Sequence, residues 1–185
     1  MAVDFEAEGP VTGTITADTI LGARSGTVAG SFKVRGADSA YSITAKLLGL
    51  TESADYVVVD GQAYSRSNGG QWTQTTASGR MLQILVASLL LRDAGVETRF
   101  DRPLHHLTVD NVAAIDLTAF GIAPGSRENL TVGLSFWAQT DGTPAGMTIE
   151  ASFDQKILGT NTHETVLIDI EIESLSGVEI TPPTP

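Results

Sequence analysis

Asp55-Tyr-Val-Val-Val-Asp-Gly-Gln-Ala-Tyr-Ser-Arg-Ser-Asn-Gly-Gly-Gln-Trp-Thr73 is the stretch that decides the fold. Two short runs rich in aromatic and β-branched residues meet at Asp60-Gly61. Asp-Gly supplies the positive φ angles of a tight type I′ turn, so the runs are predicted to pair as an antiparallel hairpin, 55–59 with 62–66. Asn68-Gly69-Gly70 follows as a second turn and sends the chain back towards Trp72. The expected unit is a β-meander.

Upstream, the same period of two continues. Residues 4 to 18 alternate weakly and are interrupted at Gly9-Pro10, which predicts an edge strand with a bend. Between Gly26 and Gly36, Val28, Phe32 and Val34 alternate with Thr27, Ser31, Lys33 and Arg35. After a turn at Ala37-Asp38-Ser39, Tyr41, Ile43, Ala45 and Leu47 alternate with Ser42, Thr44 and Lys46. Both segments predict half-buried strands.

Downstream, the period changes. Leu82, Leu85, Val86 and Leu89 fall at i, i+3, i+4 and i+7, with Thr75-Thr-Ala-Ser78 as cap and Gly95 as stop. A helix over 81–91 is expected, and Met81, Ile84, Leu90 and Leu91 make it apolar nearly all round. Taken alone, that pattern describes a helix buried in a core. Surface beyond what one sheet face absorbs would meet a second layer, a partner or a ligand.

Residues 97 to 109 read as one strand broken at Pro103, and 111 to 121 as a short, weak helix. Val132, Leu134, Phe136 and Ala138 lead into Asp141-Gly142, whose return strand carries Met147, Ile149, Ala151 and Phe153. Pairing of 132–139 with 146–153 is therefore predicted. In the last strand Val166, Ile168, Ile170 and Ile172 point to the core, while Asp169, Glu171 and Glu173 form a solvated outer stripe.

Composition bounds the function. The 185 residues hold 11 Lys and Arg against 22 Asp and Glu, a formal net charge of −11. Nucleic acid is not an expected partner, since binding it requires cationic side chains that displace counterions from phosphates. With no cysteine, disulfides, Cys-ligated zinc and thiol chemistry are excluded. Met1-Ala-Val-Asp-Phe-Glu opens without a signal peptide, and Met81 to Leu91 is too short to span a bilayer, so a soluble domain is expected.

Motifs for chemistry do not appear. There is no G-x-S-x-G elbow, P-loop or G-x-G-x-x-G. His163-Glu164 opens like a zincin motif, but Leu167 stands where the second His is needed. His105 and His106 are neighbours on a predicted strand and point to opposite faces, which does not suit one metal. No metal, no cofactor and no catalytic residue are expected. Trp72 and Trp137 have the chemistry to stack on a sugar, although single aromatics in hairpins more often pack across strands.

Several of these segments carry a resemblance. Tyr56-Val-Val-Val-Asp-Gly-Gln-Ala-Tyr64 with Gly70-Gln-Trp72 resembles the hairpin of the bacterial LppX/LprG lipoproteins. Phe136-Trp-Ala-Gln-Thr-Asp-Gly142 and Ser176-Gly-Val-Glu-Ile-Thr-Pro-Pro183 resemble later parts of that family, so the similarity spans about 11 to 183. These proteins belong to the wider LolA/LolB-like group of lipoprotein carriers.

The resemblance implies an α+β fold: a curved antiparallel β half-barrel with helices covering its concave face. One lipoprotein-carrier-like domain over 1–185 is expected, with 1–3 and 182–185 as tails. It also implies a non-enzymatic binder or transporter of a lipid or lipidated molecule in the bacterial cell envelope. The expected state is a monomeric extracytoplasmic domain, its leader and anchor Cys not in this chain, the full-length form anchored to the membrane through a lipid. The expected ligand cavity involves Met81, Leu82, Ile84, Leu85, Leu89 and Phe136. The alternative is a structural or interaction domain of the envelope with a filled core and no ligand.

Overall fold

Alternation of period two governs the structure, a computed structural model that describes residues 11–21, 24–47, 49–75, 91–110, 128–157 and 160–183. The strands are β1 (Val11–Leu21), β2 (Arg24–Arg35), β3 (Asp38–Leu47), β4 (Leu50–Val59), β5 (Gln62–Ser67) and β6 (Thr73–Thr75). They continue as β7 (Leu91–Arg99), β8 (Arg102–Val109), β9 (Glu128–Ala138), β10 (Pro144–Ile157) and β11 (Thr160–Ser174).

All eleven lie in one open sheet, in the order β6-β5-β4-β3-β2-β1-β11-β10-β9-β8-β7. Each neighbouring pair is antiparallel. Two meanders, β1–β6 and β7–β11, are thus joined side by side where the first strand pairs with the last. The short β6 and the β7 strand are the two edges. An edge invites unwanted pairing unless it is short, charged or bulged. Arg92, Asp93, Glu97 and Arg99 supply charge on β7, and a bulge at Asp93–Gly95 breaks its ladder.

Both predicted hairpins form. Asp60 and Gly61 sit at φ 52° and 73°, the two positive values a type I′ turn needs, and Val59 faces Gln62. Around Asp141-Gly142, Leu134 faces Ile149 and Phe136 faces Met147.

The α+β expectation is corrected by what is described. The described residues form an all-β, eleven-stranded antiparallel sheet that does not close, and no helix occurs among them, so helices covering a face are not part of the described fold. Residues 81–90 of the expected helix, and all of 111–121, lie outside the described residues. Leu91 to Gly95, read as the helix end, belong to β7. Gly95 is not a helix stop: it takes φ 109° at the bulge, where its N–H is 2.8 Å from the Asp93 carboxylate. Glycine in a positive-φ bulge and glycine after a helix look alike in sequence.

The single strand expected over 97–109 is also two strands. The chain reverses at Phe100-Asp101, with φ 49° and 57°, and Pro103 lies on β8 opposite Thr98. Phe at the first turn position and no Gly at the second depart from the usual type I′ pairs, so this hairpin is only weakly marked in the sequence.

Candidate ligand-binding face and the reverse face

Register aligns apolar side chains into rows. Leu107, Phe136, Met147, Ile170 and Ile15 stand opposite one another across β8, β9, β10, β11 and β1. A second row runs through Leu134, Ile149, Ile168, Ala17 and Val28. With Phe32 and Tyr41, all of these except Val28 belong to one continuous apolar cluster. Phe136 is 2% exposed and Ile149 fully buried. Burial also holds the Tyr41 phenol above its ordinary pKa, against a hydrogen bond with Ser39.

Of the residues expected to line a cavity, Phe136 alone is described, and it sits in this row; Met81, Leu82, Ile84, Leu85 and Leu89 lie outside the described residues. Packing among the described strands is chiefly between lateral neighbours. No second described strand layer lies on the apolar face.

The reverse face is polar, but of the solvated stripe expected at Asp169, Glu171 and Glu173 only Glu173 is exposed. β8 meets β9 only from His105 to Thr108, so the tip of the β7–β8 hairpin runs past the end of β9. It folds onto β10 and β11. Arg99 there pairs with Asp169, and Arg102 lies 3.4 Å from Glu171 and 3.2 Å from the Ile172 carbonyl. The indole N–H of Trp137 donates to Thr148 Oγ1 at 3.0 Å, and that hydroxyl donates to Asp169 at 2.7 Å. Leu104, Trp137 and Ala145 form a small apolar core beneath, with Phe100 against it. His106 stacks on Trp137 at 4.4 Å. Partners for these outward carboxylates come from about 70 positions away in the chain, which strand periodicity does not report.

The histidines serve separate neighbours. His105 bonds Asp93, His106 bonds Glu97 and Ser135, and His163 bonds Asp154. Among the described residues no three His, Asp or Glu side chains converge as a metal set.

Several carboxyls are held below their ordinary pKa. For Asp154 the causes are hydrogen bonds from Asn129 and His163; for Asp93, the Gly95 N–H and then His105; for Asp141, the Thr143 N–H. Burial raises Asp55, but bonds from Ser42 and Arg66 outweigh it and leave it lowered. A depressed carboxyl contributes stability above its unfolded pKa, near 4, and loses it as pH falls through the folded value. The protein is therefore expected to melt at a lower temperature at pH 3 than at pH 6. Asp154→Asn should shrink that difference, and the comparison cancels the common effect of neutralising the acidic surface. An unchanged pH dependence in the variant would remove Asp154 from the account.

No family model matches the sequence, and no curated protein does. Among solved structures the chain is similar to a DUF1329 family protein from Desulfovibrio piger ATCC 29098, at 9% identity over 89% of this chain and 85% of that one. The TM-score is 0.31, too low for the overlap to carry an argument.

Proposed function

We propose that the protein is a non-enzymatic binder or carrier of an apolar ligand, a lipid or lipidated molecule, in the bacterial cell envelope. The observation that carries this reading is the width of the apolar face: two continuous rows that each cross five strands of a single open sheet. A sheet face of that kind must be covered, because domains bury apolar faces between layers. An acyl chain sharing the cover contributes roughly 0.8 kcal/mol per methylene removed from water. Similarity of the 56–72, 136–142 and 176–183 segments to LppX/LprG lipoproteins supports the envelope setting and the carrier role. On this reading the domain acts as a monomer, and the full-length form is lipid-anchored.

A second reading has its own support. Near-complete burial of Phe136 and Ile149 fits a filled core in an envelope interaction domain that takes no ligand. Titration with a fluorescent fatty acyl probe separates the two. Saturable binding, displaced by phospholipid, is the expected result. Absence of saturable binding rejects the carrier reading and leaves the interaction domain.

A further inference from the structure

The two tryptophans have different surroundings. Trp137 is 5% exposed, stacked on His106 and bonded to Thr148, so its ring is accounted for. Trp72 is half-buried and forms a wall of a groove of about 260 Å³ on the reverse face of β2–β5.

The floor of this groove is set by register. Ser31, Ser42, Asp55 and Arg66 stand opposite one another across four consecutive strands. Neighbouring strands are about 4.8 Å apart, so the row offers hydroxyl, carboxylate and guanidinium groups at near-regular spacing. Asp55 and Arg66 are 2.6 Å apart and neutralise each other locally. Arg66 also lies over one face of the Trp72 ring, 4.7 Å from its centroid, which fixes the indole in place. The opposite wall is the C-terminal segment: Glu179, Ile180 and Thr181 line the groove, and Val178 and Ile180 pack against Val59 with Val57 and Tyr64 beside them.

A fixed indole, a row of mixed donors and acceptors, and a locally compensated charge suit a neutral ligand with one apolar C–H face and a hydroxylated edge. We propose that this groove is a saccharide-binding site, with Trp72 as the stacking platform and Ser31, Ser42 and Asp55 meeting hydroxyls. It is separate from the apolar face on the other side of the sheet, and it does not depend on lipid binding there. A preformed platform loses little side-chain freedom on binding, which favours even a small sugar.

The test is saturation-transfer NMR on the full chain with methyl glycosides of glucose, mannose, galactose and arabinose. At least one is expected to show transfer. Trp72→Ala should weaken that binding about tenfold, the scale of one lost aromatic contact, and Trp72→Phe should restore most of it. Far-UV circular dichroism and fatty acyl probe binding should be unchanged in both variants, which keeps this result distinct from the carrier reading. No transfer from any of the four glycosides would overturn the proposal. So would transfer that Trp72→Ala leaves at the wild-type level.

Discussion

Phe136→Ala is expected to cost about 3–5 kcal/mol of stability, the range for truncating a buried aromatic side chain. In a domain of this size that corresponds to a melting temperature lower by roughly 10 °C. Phe136 is 2% exposed and stands between Leu107 and Met147 in the row that crosses the sheet. Its loss removes transfer free energy and leaves a hole that neighbours on fixed strands refill only in part. Urea denaturation with a matched m-value would measure it. A loss below about 1 kcal/mol would mean the ring faces space rather than the buried neighbours of its row.

Gly146→Ala is expected to disrupt the reverse face by crowding. Its backbone does not take a positive φ, so the cost is one of space. An added Cβ would overlap the Ile170 carbonyl oxygen and lie 2.5 Å from the Phe100 ring. Either β10 shifts from β11 or the β7–β8 hairpin lifts from the sheet, with its Arg99–Asp169 and Arg102–Glu171 pairs. Overpacking of this kind costs about 1–3 kcal/mol. Gly133→Ala is the control on the adjacent strand, because its nearest contacts are Glu150 Cβ at 3.8 Å and Oε2 at 3.9 Å, ordinary packing distances. Calorimetric melts of the pair should differ clearly. Equal melting temperatures would mean that the hairpin tip is not docked at Gly146.

These two residues also mark how far the sequence is informative. Alternation alone puts Phe136 on the apolar face, since a strand with one apolar face must turn every second side chain to it. The Asp60-Gly61 turn went further: once its two central residues are known, Asp55 must face Arg66, and that pair forms. That turn fixes the Asp55–Arg66 end of the groove's row, which Ser42 and Ser31 join through the β3–β4 and β2–β3 pairings. Gly146 and the docked hairpin were not legible. Phe100 adopts a positive φ that a bulky residue seldom takes, and Arg99 reaches Asp169 through chain topology rather than spacing. The same long-range docking, to which strand periodicity is blind, takes Asp169 and Glu171 out of the solvated stripe. Gly95 misled because its positive φ serves a bulge on an edge strand, not a helix end.

The carrier reading meets its most direct test in native mass spectrometry of the full chain after incubation with a bacterial lipid extract. The expected result is a species heavier than the bare 19.4 kDa polypeptide by the mass of a lipid, lost on denaturation and recovered in the organic phase. Only the bare polypeptide mass, before and after denaturation and with an empty organic phase, would contradict it.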